Sequence, residues 1–462
     1  MLPPDLTVSL YTADAVRRID RAAIDGCGIA GFELMRRAAD AVFATLRERW
    51  PDARRLVVLA GRGNNGGDAL LVGLLALEHG LDVDAFAMTH ESAGDAARAR
   101  NAFVEAGGRV ASLDAVHDLS DADVIVDGLF GTGLARAVEG EIATLIERVN
   151  ASGRPVLAID VPSGLSADTG LRLGAAVRAH ATVSLVAWKR GLFTGDAADC
   201  TGERELAPLD VPAEAFAGIA PDAELLGGMA MRALPRRCGN VDKSHFGHVL
   251  AIGGDLGMGG AIRLSAEAAL RCGAGLVSVA TRGAHVPALL AGRPELMVRG
   301  IDDAGLPDDL FARATVVAIG PGLGRAPWGA SLWRAAMSAQ RPLVVDADAL
   351  NLLSQSPRAL PNAVLTPHPG EAARLLGSNT AAVQADRFAA ARALAKKYAA
   401  VTVLKGAGSL VAAPDGRVAV CPWGNAGMAS GGMGDVLTGV IATMLAQGLP
   451  AWDAACTGVA LH

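Results

Sequence analysis

Aromatic side chains are scarce in this sequence, with 2 Tyr, 6 Trp and 10 Phe among 462 residues, or 4%. Cysteine is sparse too: Cys27, Cys200, Cys238, Cys272, Cys421 and Cys456 are scattered, with no CxxC pair and no metal-ligand spacing. That excludes a disulfide framework or thiolate metal site, so the six read as small buried thiols in a reducing compartment. Basic charge is not in excess, because 42 Lys and Arg face 48 Asp and Glu for a net −6, which argues against a nucleic-acid groove. No apolar run reaches the ~18 residues of a membrane span, so the mean hydropathy of +0.32 is assigned to alanine and not to lipid contact. The opening MLPPDLTVSLYTADAVRRID lacks the basic region and apolar run of a signal peptide, and a cytoplasmic protein is expected.

What the chain has is glycine, 56 residues or about 12% against a usual ~7%, without a triplet period. Hydrophobic residues at 51% and charged residues at 19% exclude disorder. The length suits two domains, each able to bury its own core.

Thr12 can cap a helix with Val16, Ile19 and Ala23 on one face, ending at Gly26, and a second helix carries Leu34, Ala38, Val42 and Leu46; both are expected to precede any strand. Strand-like runs then alternate with helical stretches: Leu56 to Ala60, Val83 to Met88, Val124 to Asp127, Val156 to Val161 and Ala181 to Ala187. This alternation predicts an α/β fold with a doubly wound parallel sheet. The weakly periodic stretch from Pro212 to Gly228 reads as the boundary, giving domains of 1–218 and 224–462. Strand-like runs resume at His248 to Ile252, Leu276 to Ala280, Thr315 to Ile319, Pro342 to Val345, Val364 to Thr366 and Thr402 to Leu404, before a helix from Asp435 to Ala446. The second half is therefore also α/β.

GRGNNG at Gly61 to Gly66 satisfies the dinucleotide fingerprint, in which glycines let amides at a helix N-terminus approach a pyrophosphate. That helix is expected to begin near Gly67. The fingerprint does not account for Asn64, Asn65 and Asp68, although Asn favours turns and Asp68 could cap the helix. The runs VIVDGLFGTGL and VLAIDVPSGLSADTG bring Asp127, Gly131, Thr132, Gly133, Asp160, Ser163, Gly164 and Asp168 to strand ends, where ligands of open parallel sheets bind. Hard oxygens of low total charge there suit a weakly held monovalent cation, and an uncoordinated carboxylate could move a proton; loop capping is the bland alternative.

In the second half, GNAGMASGGMGDVLTGVIATML opens a helix with Gly431, Gly432 and Gly434 before Asp435. Free amides there form an anion hole, and a carboxylate beside it can deprotonate a hydroxyl as a phosphoryl group arrives; otherwise Asp435 is only a dipole partner. VTVLKGAGSL sets Lys405 at a strand end, placed for phosphate or merely on the surface. LTPHPGE and AIGPGLG are glycine-proline turns, while Asp346 and Asp348 of VVDADAL could assist Mg2+ or cap the next helix and are expected to carry no role.

Together the motifs resemble the bifunctional NAD(P)H-hydrate repair enzymes, YjeF-like proteins that fuse an NAD(P)HX epimerase to an ADP-dependent (S)-NAD(P)HX dehydratase. The resemblance rests on LYTADAVRRIDRAAIDGCGIAGFELM, NNGGDAL, DGLFGTGL and DVPSGLSADTG in the first half. In the second it rests on GHVLAIGGDLGMGGAIRLSAEAALRCGAGL, GPGLG, TPHPGE, LKGAGS and GMASGGMGD. It implies a Rossmann-like first domain in which Asn64, Asn65, Gly66, Gly67, Asp68, Gly131, Thr132, Gly133, Leu134, Ala135, Arg136, Ala137 and Asp160 hold the damaged nucleotide. Asp160 would be the acid or base, and Asn65, Asp127 and Ser163 would hold K+. It implies a ribokinase-like second domain in which Ala261, Gly322, Gly324, His368 and Asp435 face the substrate, with Asp435 as base. Lys405, Gly406, Ala407, Gly408, Ser409 and Gly434 would contact ADP, which comes with Mg2+.

The implied partners are NADHX, NADPHX and ADP, in a homo-oligomer, with neither nucleic acid nor membrane. The sequence departs from the family at Ala69, Ser430 and Met433, and the family continues for another helix beyond Leu461 and His462, so C-terminal residues are expected to be absent. Three other readings compete. A Rossmann dehydrogenase wants an acidic residue at the end of the second strand, where Glu91 arrives late. A ribokinase-like small-molecule kinase would also use GMGD and KGAGS. A non-catalytic nucleotide-binding first half would only support the second.

Overall fold

In the first long strand, Leu56, Val58 and Ala60 face one core while Val57 and Leu59 face another, the period-two division of a sheet buried on both sides. The computed structural model describes residues 5–88, 93–227, 234, 236–302, 305 and 307–462, so Glu91 lies outside the described residues. Contacts divide the chain into two units, Met1–Glu224 and Leu225–His462.

The first unit holds β1 (Ser9–Tyr11), β2 (Arg55–Ala60), β3 (Asp82–Ala87), β4 (Val110–Ser112), β5 (Val124–Gly128), β6 (Val156–Ile159), β7 (Ala181–Leu185), β8 (Trp188–Lys189) and β9 (Glu203–Ala207). Its main sheet runs β4-β3-β2-β5-β6-β7-β9, all parallel. The strand order reverses between β2 and β5, and at that switch point the chain leaves both strands to form an open crevice. The expected doubly wound sheet is thus present.

Two expectations need correction. A strand, β1, precedes both N-terminal helices; three residues are too few for periodicity to register, and β1 is held by parallel pairing with β8 and antiparallel pairing with Ala223 and Glu224. The helix after β2 spans Asn64–Glu78, beginning at Asn64 and not near Gly67, because Gly63 takes the N-cap. Thr12 does cap its helix, accepting the Ala15 amide at 3.2 Å, and a π turn over Ala22–Gly26 follows.

The second unit contains β11 (His248–Ile252), β12 (Leu276–Thr281), β13 (Met297–Gly300), β14 (Val316–Ile319), β15 (Leu343–Val345), β16 (Ala363–Leu365), β17 (Val401–Leu404), β18 (Leu410–Ala412) and β19 (Val418–Val420), after the short β10 (Ala223–Leu225) at the division. Its order is β13-β12-β11-β14-β15-β16-β17-β18-β19, with only the last two pairings antiparallel. Val249 and Ala251 of β11 pack under the helices Gly259–Arg271 and Met433–Ala446. Among the described residues, no helix is long and apolar enough to cross a membrane.

Candidate functional site

The crevice of the first unit opens into a cavity of about 930 Å³. Asn64, Asn65, Asp68, Gly131, Thr132, Gly133, Leu134, Ala135, Arg136 and Asp160 line it; Gly66, Gly67 and Ala137 do not. The two glycines serve packing instead. A Cβ on Gly66 would sit 2.1 Å from the Gly61 carbonyl oxygen, and one on Gly67 would sit 2.8 Å from the Met35 thioether. Ala69 is accommodated because its methyl faces Gly128, where a second Cβ would come within 2.5 Å. Asp68 is in the second turn of its helix, so it is not the cap; it is buried, and burial followed by the charges of Asp160 and Asp20 pushes its carboxyl well up.

Asp160 terminates β6 in the left-handed region at φ 68°, and Val186 terminates β7 at φ 65°. Such angles are costly for non-glycine residues, so the surrounding bonds must impose them. The Asp160 amide donates to the Val183 carbonyl at 2.7 Å, the Val186 amide to the Ala207 carbonyl at 2.8 Å, and the Leu185 amide to Asp160 Oδ1 at 3.1 Å. This shortens both strands relative to their apolar runs and turns the Asp160 carboxylate onto the fully buried Lys189, with which it pairs. Lys189 Nζ also donates to the Leu185 carbonyl at 2.6 Å and to Ser184 Oγ at 3.3 Å, so its three protons are committed.

Beside this lies a knot of hard oxygens. Ser163 Oγ donates to Asp127 Oδ1 at 2.6 Å, the Ser163 amide donates to Asp127 Oδ2 at 2.8 Å, and Ser163 Oγ accepts the Phe130 amide at 2.8 Å. Asn65 Nδ2 donates to the Phe130 carbonyl at 3.0 Å. Asp127 is fully buried and is met, among the described residues, by these neutral donors and the Leu129 amide, so burial pushes its carboxyl up to about 6. A buried carboxylate with neutral neighbours, an amide oxygen, a hydroxyl and a carbonyl is a donor set that fits a monovalent cation.

In the second unit three neighbouring strands deliver the site. Asp346 follows β15, His368 and Glu371 follow β16, and Lys405 follows β17. Lys405 Nζ lies 2.7 Å from Asp346 Oδ1 and 4.0 Å from Glu371 Oε2. Burial pulls the ammonium down, but these two carboxylates outweigh it and hold its pKa above the usual lysine value. Gly434 closes over the pair, since a Cβ there would sit 3.0 Å from Lys405 Nζ and 3.5 Å from Asp346 Oδ2. Asp435, in the first turn of its helix, is pushed up to about 6 by burial and then by Asp346. Gly432 at φ 94° caps that helix and leaves its first amides free for an anion.

Gly406 and Gly408 have φ of 138° and 60°, and Ser409 Oγ closes their turn on the Gly406 carbonyl at 3.0 Å. Exposed Ala407 lies at the tip, and fully buried Arg387 supports the loop through the Leu404 and Lys405 carbonyls, each at 3.3 Å. Where the order of this sheet reverses, between β11 and β14, Gly322 faces Ala261, and Gly324 is fixed by its amide donating to Asp348 Oδ2 at 2.9 Å. His368 caps the helix Pro369–Leu376, its Nδ1 accepting the Gly370 amide at 3.0 Å, which leaves Nε2 as the protonated nitrogen of a neutral ring.

Two families match the sequence. One described as YjeF-related protein N-terminus covers residues 31–191, and one described as NAD(P)H-hydrate dehydratase covers residues 249–462. A bifunctional NAD(P)H-hydrate repair enzyme of Coxiella burnetii is 45% identical over 456 residues, 98% of this chain and 93% of that one. That of Escherichia coli K12 is 43% identical, spanning 100% of this chain and 89% of its own. The chain belongs to the bifunctional NAD(P)H-hydrate repair enzymes. A repair enzyme of Leishmania braziliensis, 38% identical, covers 98% of this chain. A ribokinase-like superfamily protein of Enterococcus faecalis V583 covers 52% of it at 33% identity and a TM-score of 0.49.

Within this repair enzyme the expectation that Asp346 and Asp348 are idle is corrected. Asp346 occupies the N-cap position of the helix Ala347–Gln355, but its side chain makes no capping bond; its second oxygen accepts the Thr438 hydroxyl at 2.9 Å, so both oxygens belong to the Lys405 cluster. Asp348 holds the turn of Gly324. Sequence reasoning also passed over Lys189, Asp20, Glu371 and Arg387. Asp346 stands directly after a buried β run, where the strand-end rule would have found it. Lys189 carries no such mark, because its partner is 29 residues away.

Proposed function

We propose that the first unit interconverts the R and S epimers of hydrated NADH and NADPH and that the second dehydrates the S epimer with ADP as phosphoryl donor. The observation that carries this reading is Asp435 in the first turn of the glycine-capped helix, beside Lys405, in a chain of this family. The ring hydroxyl is a poor leaving group. Asp435 takes its proton, the oxygen attacks the terminal phosphorus of ADP, and AMP leaves. The C–O bond then breaks with phosphate departing, and loss of a proton from the neighbouring carbon restores the reduced ring.

The amides of the Gly432-capped helix stabilise the transferring phosphoryl group. Lys405, with Gly434 and the turn Gly406 to Ser409, faces the nucleotide. Ala261, Gly322, Gly324 and His368 face the hydrated ring. Magnesium would arrive on the phosphates of ADP. In the first unit Asp160 and the buried carboxyls beside it carry the acid-base work, and Asn64, Asn65 and Asp68 with Gly131 to Arg136 hold the nucleotide. Asn65, Asp127 and Ser163 would hold potassium, which would supply a fixed positive charge near the substrate phosphates.

Purified protein given both epimers with ADP and Mg2+ tests the reading by absorbance of the reduced nicotinamide. Complete, ADP-dependent recovery faster than spontaneous epimer exchange is expected. Recovery that stalls when one epimer is exhausted removes the epimerase, and a stable phosphorylated product would instead indicate a small-molecule kinase.

A further inference from the structure

The helix Ala13–Arg21 belongs to a motif that the proposed roles leave unused. Val16, Arg17, Asp20 and, one turn on, Ile24 face the cavity of the first unit, so this helix adds the Asp20 carboxyl to its wall. Asp20 Oδ1 is buried and meets no hydrogen-bond donor among the described residues. Asp68, 7% exposed, also lines the cavity, and among the described residues no hydrogen bond to its carboxyl is found. Asp160 differs in kind, because Lys189 neutralises it with every ammonium proton committed nearby.

Of the six carboxyl groups that line the cavity, Asp20, Asp68 and Asp160 are the three that act on one another around a single buried ammonium, that of Lys189. Three anions cannot share one cation in a low-dielectric wall, so the two without a partner retain a proton.

We propose that Asp20 shares with Asp68 the proton lent to the substrate hydroxyl during epimerisation, while Asp160, pinned by Lys189, remains the anion of the site. This rests on the epimerase reading above. The two epimers differ at the carbon bearing the added hydroxyl, next to the ring nitrogen. The shared proton passes to that hydroxyl, the C–O bond breaks with its pair going to oxygen, and the nitrogen lone pair forms a C=N bond as water leaves. Water then adds to the opposite face, the π pair returns to nitrogen, and the excess proton goes back to the carboxyl pair. Nothing is consumed.

Burial, moderated by Lys189 and reinforced by Asp160, pushes Asp20 up to about 6, as required of a proton lender near neutrality. The charged groups around it are Asp68, Asp160, Lys189 and Arg17; Asp25 and Glu214, on the turns packed against its helix, are exposed.

The test measures epimer exchange without ADP, by separation of the two epimers over time, in full-length wild type, Asp20→Asn and Asp20→Glu. Wild-type kcat should fall as pH rises above about 6. Asp20→Asn should lower kcat about 100-fold with KM unchanged and without that falling limb, and Asp20→Glu should recover at least about tenfold of it. An Asp20→Asn rate within twofold of wild type with the same pH profile overturns the proposal. So does a wild-type rate that is flat or rises with pH, which needs no variant to fold. Wild-type exchange no faster than the spontaneous rate removes the epimerase reading itself, and the role of Asp20 with it.

Discussion

Lys405 and Asp346 form a largely buried ion pair, 2.7 Å between Nζ and Oδ1, that joins the end of β17 to the end of β15 across the intervening strand β16. Gly434 lies against both partners, so the pair also fixes where the glycine-rich turn can sit.

Asp346→Ala leaves the largely buried Lys405 ammonium with Glu371, at 4.0 Å, as its nearest carboxylate among the described residues. Breaking a buried pair from one side costs about 3–5 kcal/mol, so denaturant unfolding of the full-length protein should show a loss of that order in the second unit. Dehydration should fall with it, whereas epimer exchange in the first unit should persist.

Asp435 acts as a base only when ionised. With its carboxyl at about 6, the dehydration rate should rise roughly tenfold per pH unit below that value and level off above it. Asp435→Asn should lower the plateau by about 10²–10⁴-fold, read as ADP-dependent recovery of nicotinamide absorbance.

Asp127, raised to about 6, lies above its unfolded value, so keeping it ionised and buried destabilises the first unit at neutral pH. That cost disappears as pH falls through the folded pKa towards the unfolded one. A cation bound to the ionised carboxylate offsets it. Potassium chloride, compared with choline chloride, should therefore raise the thermal midpoint at about pH 7.5 and do little at about pH 5. Asp127→Asn should abolish the difference between the salts.

Gly66 and Gly67 are adjacent but unequal. The new methyl of Gly66→Ala meets a backbone carbonyl at 2.1 Å and cannot be relieved locally, while that of Gly67→Ala meets the flexible end of Met35 at 2.8 Å. Thermal unfolding should show Gly66→Ala destabilised by about 1–3 kcal/mol or more and Gly67→Ala at the lower end of that range or below it. Epimer exchange should follow the same order.

The sequence by itself determined the two α/β halves, because β-branched runs alternating with helical periods leave few other ways to bury both faces of a sheet. It also marked Asn65, Asp127, Asp160, Ser163, Lys405 and Asp435, since each follows a strand or opens a helix and carries its signal within a few residues. Short strands such as β1 and β8 were illegible, because their stability comes from partners far along the chain and not from local pattern. The pairings Asp160 with Lys189 and Asp346 with Lys405 were decided only by tertiary structure: they join residues 29 and 59 positions apart. So were the raised pKa values of Asp20, Asp68 and Asp127. A carboxyl's charge depends on which donors and ions reach it once water is excluded, and no spacing in the chain encodes that.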